Sequence, residues 1–493
     1  MMYSSTTILK SFIWKILERF SVQIVNFLVT ILLARLLTPE EYGLVALVTV
    51  FIAVADVVVD GGFNTALIQK KNADNRDFST IFLFSIAASI LVYFIVFFLA
   101  PSIACFFGNE NIVQVTRVLA LALIFNAFNS VQRAYVSKKM LFRKLFYSSF
   151  GAVIVSGTVG VIMAFNGFGI WAIVTQTLVN QFLTSVIMWY TIKWRPVLCF
   201  SKNSFISLFN YGWKIFITNI ITTLFVQLRK LLIAKFYKPA DLAYFEKGDQ
   251  LPNLVMTNLF TSIQTILFPT FSSVQDDIVM VKSMMRRSTK LSCFFIYPLM
   301  AGMIVCAEPL IRLLLTERWI GVVPFVQILC IANFFRPISI SNWEAIKALG
   351  YSDITLKLEV LKKVIDIIIL IITVLISVEA VAWGVVIYNF LCVFINLYPN
   401  IKLLKYKLTE QFMDAVPTLV ISAVMGLVIY PIKFLNYSDL YTILLQVLFG
   451  SIVYILLCFL FKEDSLMYLI NYLKLLFTKR KYNEATIKRN NEI

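Results

Sequence analysis

The chain has 493 residues, of which 60% are hydrophobic and only 14% are charged. Soluble domains usually carry about 25% charged residues, so this composition excludes a water-facing surface for most of the chain. Lys and Arg total 44 against 27 Asp and Glu, a net charge of +17. No nucleic-acid-binding signature accompanies that excess, and we expect no nucleic-acid partner.

Apolar runs long enough to cross a bilayer recur along the whole chain. We therefore predict an all-α integral membrane protein with about fourteen transmembrane helices. In chain order the predicted spans are 14–36, 44–68, 80–107, 112–132, 145–165, 169–192, 208–236, 242–268, 290–315, 322–346, 356–377, 380–401, 415–435 and 440–461. The first, seventh and eighth of them contain charged residues.

The charge of the connecting loops alternates along the chain. One set is basic, as in residues 133–144 and 282–290, and the opposite set is short and nearly uncharged, as in residues 108–110 and 377–379. A missed or invented span would reverse this alternation downstream. Because basic loops stay in the cytoplasm, the pattern supports fourteen spans and predicts that both termini are cytoplasmic.

Two helix junctions about 200 residues apart resemble each other. Leu-Leu-Ala-Arg at 32–35 precedes Pro39, and Leu-Ile-Ala-Lys at 232–235 precedes Pro239 with the same spacing. Six predicted spans separate the copies, so both have the same orientation. This repeat predicts two parallel six-helix bundles, and chance similarity of two amphipathic junctions is the alternative. The predicted domains are 1–200, 201–408, two appended helices in 409–463 and a basic cytoplasmic tail in 464–493.

Ionisable side chains inside membrane spans are costly and usually face a cavity or a charged partner. Buried cations suit an anionic substrate, because Arg and Lys both bind phosphate. The candidate cavity cations are Arg19, Arg117, Lys214, Arg229, Lys230, Lys247 and Arg336. The candidate acids are Asp56, Asp60, Glu246 and Asp249, which either couple transport to Na⁺ or H⁺ or act as counter-charges. For every position the alternative is an interhelical ion pair or a snorkelling side chain.

The sequence offers little for catalysis. It contains no His, its seven Cys form no CxxC pair, and the predicted external loops are short. Glu40 and Glu41 lie in one such loop, but they directly follow Pro39, as the start of a helix does. We expect no enzyme activity, no metal and no cofactor.

Several segments resemble the Wzx-type polysaccharide flippases of the multidrug/oligosaccharidyl-lipid/polysaccharide transporter superfamily. They are residues 32–43, 60–71, 167–174, 244–252 and 268–277. The resemblance covers roughly residues 10–400 and is strongest before 280. It implies that the chain moves an undecaprenyl-pyrophosphate-linked oligosaccharide from the inner to the outer leaflet by alternating access around a cationic cavity. Relatives often have Arg where this chain has Lys247, and related lipid II flippases place cavity arginines in the span that contains Arg19.

The resemblance also implies partners and a location. The partners are the lipid-linked oligosaccharide and membrane lipids, with a polysaccharide polymerase and glycosyltransferases as further candidates. The location is the bacterial cytoplasmic (inner) membrane. Two alternatives stay open: a cation-coupled multidrug exporter of the same superfamily, and a scaffold of a polysaccharide assembly complex without transport of its own.

Overall fold

The computed structural model describes residues 5–272, 274, 276–435, 437–468 and 470. Contacts within the chain separate it into two units, Met1–Ala243 and Tyr244–Ile493. The described residues form helices and turns without a β-strand. This confirms the all-α prediction. Most of the predicted basic tail lies outside the described residues.

Nine helices belong to the first unit. They are α1 Ser5–Leu36, α2 Pro39–Asp60, α3 Phe63–Gln69, α4 Asn75–Phe107, α5 Asn111–Leu119, α6 Leu121–Lys138, α7 Phe142–Phe165, α8 Ile170–Thr191 and α9 Lys202–Phe236. Helix α9 is part of this unit because it packs against α2, α3 and α4. The domain limits predicted at 200, 408 and 463 concern the internal repeat and stay predictions.

Helix α10, Pro239–Ser272, begins at the end of the first unit, and the remaining helices form the second. They are α11 Ile278–Leu315, α12 Val323–Asn333, α13 Arg336–Ala348, α14 Ser352–Val374, α15 Val378–Leu403, α16 Leu408–Ile429 and α17 Asp439–Leu460. Short 3₁₀ turns precede α12 and follow α16.

Local sequence sets where these helices begin. Thr38 caps α2, because its hydroxyl accepts the backbone N–H of Glu41 while the Glu41 side chain accepts the N–H of Thr38. Pro39 follows as the first helical residue, where its missing N–H costs no intrahelical hydrogen bond. The second junction has the same form, since α9 ends at Phe236 and α10 begins at Pro239. The two segments paired by the sequence repeat are thus equivalent helix junctions.

Eleven helices in the described part of the chain are long and apolar enough to cross a membrane. A bent pair, Glu317–Asn333 with Arg336–Ala348, would make twelve if it forms one span with its 41° bend. The predicted eighth and eleventh spans are helical as α10 and α14, but neither is among the eleven helices of the described residues that meet these limits. The chain is a multi-pass membrane protein, and the count of fourteen stays a prediction.

Three predicted spans differ from the structure in their continuity. The second, predicted as 44–68, breaks between α2 and α3 at Gly61 and Gly62, which both have positive φ. The fourth, predicted as 112–132, is interrupted at Ala120 and continues to Lys138. The tenth is the bent pair. Apolarity predicted these runs correctly, but it carries no information on where a helix bends.

In the second unit, α11 packs against α12, α13, α16 and α17. The predicted appended helices therefore lie on the bundle. The Tyr454 hydroxyl of α17 donates to the Phe294 carbonyl of α11 at 2.7 Å. Buried amides add a polar ladder, in which Asn342 Nδ2 donates to Gln411 Oε1 at 2.7 Å and Asn400 Nδ2 to Asn342 Oδ1 at 2.9 Å. Such bonds between helices stabilise a bundle in lipid.

Candidate functional site

A polar cavity of about 350 Å³ lies within the first unit, among α2, α3, α6 and α9. Most of its lining side chains are polar although the surrounding helices are strongly apolar. The polar lining consists of Asp56, Asp60, Asn64, Asn126, Ser130, Arg133, Asn219, Thr222 and Thr223. Polar groups inside membrane spans are rare and usually functional, so this cavity is the candidate site of the first unit.

Helical spacing brings these side chains together. Asp56 and Asp60 are four residues apart on α2 and share a face. Asn126, Ser130 and Arg133 recur on α6 at intervals of four and three, which is again one face. The predicted acids Asp56 and Asp60 are therefore placed side by side, with α6 opposite them.

Amide groups hold both carboxylates. Asn126 Nδ2 donates to Asp56 Oδ1 at 2.7 Å and to Asp56 Oδ2 at 2.6 Å. Asn64 Nδ2 donates to Asp60 Oδ1. Two carboxylates at this spacing repel each other when both are charged, and a proton or a cation between them relieves the repulsion. The pair is thus suited to bind a hydrogen-bond donor or a small cation.

Arg133 joins this cavity to a second one of about 240 Å³, since it lines both. The second cavity lies among α1, α6, α7 and α8, and its lining includes Lys15, Glu18, Asn26 and Asn180. Lys15 Nζ forms a 2.8 Å ion pair with Glu18. Arg133 is within electrostatic reach of both Asp56 and Glu18. Its guanidinium therefore lies between two acidic groups that belong to different cavities.

Arg133 was predicted to lie in a basic loop, and this prediction is wrong. The residue lies inside α6, whose last residue is Lys138. The predicted span 112–132 ended six residues before Lys138, the last residue of the helix. A helical wheel extended by two turns would have shown Arg133 on the face of Asn126 and Ser130.

The other predicted cations of the first unit lie elsewhere. Arg19 and Lys214 are exposed, and Arg229 and Lys230 are half-buried on α9. Arg117 Nε donates to the Phe97 carbonyl at 3.3 Å, and its guanidinium lies 4.2 Å from the centre of the Phe97 ring. None of these five is among the described residues that line the two cavities.

In the second unit, two predicted cations lie on neighbouring helices among amide groups. Lys247 is only 8% exposed, and its Nζ donates to Gln250 Oε1 at 3.5 Å. Arg336 Nη1 donates to Asn333 Oδ1 at 3.2 Å and to Asn253 Oδ1 at 3.5 Å. Lys247 is thus buried and Arg336 half-buried, and both donate hydrogen bonds to neutral amide oxygen atoms.

The predicted acids of α10 accompany these cations. Glu246 acts electrostatically on Lys247, and Asp249 acts on Arg336. Whether the two acids act as counter-charges or in ion coupling stays a prediction. An approaching anion would compete with Glu246 and Asp249 for the two cations.

Membrane-spanning helices around polar cavities define a multi-pass membrane protein. A family model described as "Polysaccharide biosynthesis protein" matches residues 32–324, which is more than half of the chain. The chain belongs to that family, and its resemblance to polysaccharide flippases is confirmed.

Three relatives are similar over about two thirds of the chain. Teichuronic acid biosynthesis protein TuaB of Bacillus subtilis is 22% identical, over 69% of this chain and 71% of the relative. Succinoglycan biosynthesis transport protein ExoT of Rhizobium meliloti is 21% identical, over 67% of each. Lipopolysaccharide biosynthesis protein WzxC of Escherichia coli is 25% identical, over 67% of this chain and 68% of the relative.

Solved structures share the fold. The lipid II flippase MurJ in an inward closed conformation has a TM-score of 0.71 at 17% identity, covering 92% of this chain and 99% of that one. An inward-facing transporter of the multidrug resistance MATE family has a TM-score of 0.61 at 14% identity, covering 78% and 96%. MurJ is named as a flippase, and the MATE protein and ExoT as transport proteins. These names agree with the expectation that the chain is a transporter and not an enzyme.

Proposed function

We propose that this chain is a flippase that moves an undecaprenyl-pyrophosphate-linked oligosaccharide from the inner to the outer leaflet of the bacterial cytoplasmic membrane. Family membership supports a lipid-linked oligosaccharide as the class of substrate. The observation that carries the proposal is the polar cavity among α2, α3, α6 and α9, because a sugar head group must find polar partners inside the membrane.

The lining of this cavity suits a carbohydrate. Sugar hydroxyls donate to carboxylates such as Asp56 and Asp60, and they accept from amide and hydroxyl groups such as those of Asn219 and Thr223. Arg133 is the cation among the described residues that line this cavity. A guanidinium forms two parallel hydrogen bonds with a phosphate, which fixes the orientation of the anion as well as binding it.

Two cations of the second unit, the buried Lys247 and the half-buried Arg336, have the same role in the proposal. Lys247 and Arg336 make hydrogen bonds to neutral amides that a phosphate can replace with stronger, charge-assisted bonds. Arg229 and Lys230 are further candidates, since both are half-buried on α9. Alternating access, by a rearrangement of the two bundles, would then expose these groups to each leaflet in turn.

The membrane potential supplies a direction. Moving negative charge out of an inside-negative cell is favoured by about 2.3 kcal/mol per charge per 100 mV. A diphosphate would gain roughly 4–5 kcal/mol by the same relation if no ion compensates it. Coupling to inward Na⁺ or H⁺ through Asp56 and Asp60 is the competing proposal. Cytoplasmic termini are part of this proposal, since the loop charges support them.

Reconstituted liposomes test the proposal. The full chain is placed in liposomes with a fluorescent lipid-linked oligosaccharide, and a membrane-impermeant quencher reports which leaflet holds the label. We expect faster equilibration than in empty liposomes, and a loss of about tenfold or more in a triple variant with Ala at Arg229, Lys247 and Arg336. Equal rates in wild type and variant would refute the role of these cations.

One observation favours the exporter alternative. Asp56 and Asp60 face the cavity, and buried carboxylates also suit a cationic drug. If lipid-linked oligosaccharide does not move but toxic organic cations leave cells faster when the chain is expressed, the exporter assignment replaces the flippase. If neither moves, the scaffold alternative remains, and pull-down of a polymerase or glycosyltransferase becomes its test.

A further inference from the structure

A third cavity, of about 410 Å³, lies in the second unit and has no place in the transport proposal. It is formed where α11 begins and where the chain continues beyond α17. The end of α17 therefore lies beside the beginning of α11. Because both helices are long and apolar enough to cross a membrane, the cavity at their ends is expected near a membrane boundary.

Three cations of α11 line one wall, at intervals of one and three residues: Arg286, Arg287 and Lys290. A buried carboxylate fixes two of them from behind. Arg286 Nε lies 2.6 Å from Asp414 Oδ2, and Lys290 Nζ lies 3.2 Å from Asp414 Oδ1. The buried Tyr406 hydroxyl also donates to Asp414 Oδ2 at 2.6 Å. The wall is therefore held in place before any ligand binds.

The opposite wall comes from the segment after α17. Asp464 forms a 2.6 Å ion pair with Lys290. The Arg287 guanidinium lies 3.4 Å from the centre of the Tyr468 ring. Among the described residues, Arg287 forms no ion pair. The three cations of the lining thus face two carboxylates, Asp464 in the lining and Asp414 behind it, which leaves one net positive charge for an anion to neutralise.

An apolar stripe runs from this cavity along α11 into the membrane. Leu291 lines the cavity one turn after Arg287, and Phe295 and Leu299 follow at intervals of one turn with 46% and 47% exposure. Leu456 and Leu460 of α17 are also exposed, at 53% and 64%. A cationic cavity at the head of an exposed apolar stripe matches the two ends of an anionic phospholipid.

We propose that this cavity binds the phosphate of an anionic membrane phospholipid, with the acyl chains along α11 and α17. Arg287 supplies the free guanidinium fork, and Lys290 a second charge. A phosphodiester head group suits the site, since basic pockets between membrane helices are known to bind lipid head groups. The bound lipid ties α11 to the segment after α17. The sequence beyond the cavity is also basic, because residues 474–489 carry six Lys or Arg against Glu484. Such a composition attracts anionic membrane lipids.

The test measures thermal unfolding of the full chain in detergent with added lipid. Phosphatidylglycerol is expected to raise the unfolding midpoint saturably, because a ligand of the folded state stabilises it by mass action. Phosphatidylcholine, with or without inorganic phosphate, is expected to have no such effect. Native mass spectrometry of the wild type supplies a second measurement, in which phosphatidylglycerol should remain bound after phosphatidylcholine has dissociated.

Variants locate the site. Arg287→Gln should raise the phosphatidylglycerol concentration that gives half of the shift in the unfolding midpoint by about tenfold or more. Lys402→Gln is the matched control, because Lys402 is also an exposed cation near an aromatic ring, 5.6 Å from the Tyr398 ring at the end of α15. An equal response of Arg287→Gln and wild type would overturn the proposal, as would an equal effect of the two lipids. If inorganic phosphate alone raised the unfolding midpoint, the ligand would be a free phosphate, and the proposal of a lipid would be refuted.

Discussion

The corner between α2 and α3 depends on a glycine. Gly62 has φ +73°, and a Cβ atom placed on it would lie 2.3 Å from the Gly212 carbonyl oxygen and 2.9 Å from the Phe216 backbone nitrogen on α9. Both neighbours are backbone atoms, so rotation of a side chain cannot relieve the contact. The same corner lies between Asp60 and Asn64, which both line the cavity.

The change Gly62→Ala should therefore be strongly destabilising. The left-handed backbone costs an L-residue about 1–2 kcal/mol, and overpacking against backbone adds about 1–3 kcal/mol. The expected loss of unfolding free energy is roughly 2–5 kcal/mol. Gly108→Ala is the matched control, because its φ is +67° but nothing lies within 4 Å of the Cβ position. The unfolding free energy of Gly108→Ala should fall only by the backbone contribution, about 1–2 kcal/mol.

Thermal unfolding in detergent, followed by tryptophan fluorescence, compares the two variants under identical conditions. We expect the midpoint to fall clearly further for Gly62→Ala than for Gly108→Ala. Equal decreases would refute the close approach of α9 to this corner, since both substitutions carry the same backbone strain.

Two further predictions concern buried acids. Asp414→Ala should lower the free energy of unfolding by about 1–3 kcal/mol, because the buried Tyr406 hydroxyl loses its acceptor. Glu410→Ala is the control on the same helix. It breaks only the partly exposed ion pair with Lys282 and should cost less than about 1 kcal/mol in the same unfolding assay. Burial and the hydrogen bond to Asp414 raise the pKa of Tyr406 well above its usual range, so this difference should not change between pH 6 and about pH 9. Asn126→Ala should slow transport in liposomes roughly tenfold, because Asp56 loses both charge-assisted hydrogen bonds; an unchanged rate would exclude Asp56 from the binding site.

Much of the fold was accessible from sequence because membrane helices must be apolar and long. The same reasoning singled out Asp56 and Asp60, which line the cavity, and Lys247, which is buried on α10, since a charge in an apolar run stands out. The roles of these residues stay predictions. It also identified the junctions at Pro39 and Pro239, where proline and capping residues mark helix starts.

The neutral part of the cavity was not accessible in this way. Asn219, Thr222 and Thr223 lie in an apolar helix, and a Thr in such a helix can satisfy its hydroxyl locally, as Thr222 does with the Thr218 carbonyl. Their side chains give no sequence signal of whether they face a cavity or lipid. Arg133 was missed for another reason, because it lies beyond the apolar part of α6 although it continues the same helix.

The central claim is that the cavity of the first unit binds an anionic lipid-linked sugar during transport. Its most direct test is the rate of leaflet exchange of fluorescent lipid-linked oligosaccharide in liposomes containing Arg133→Gln, beside Arg143→Gln as control. Arg143 is an exposed cation near the start of α7, 5.4 Å from the Trp14 ring, and is not among the described lining residues. We predict a loss of about tenfold or more for Arg133→Gln and a normal rate for Arg143→Gln. Equal, wild-type rates in both variants would contradict the claim.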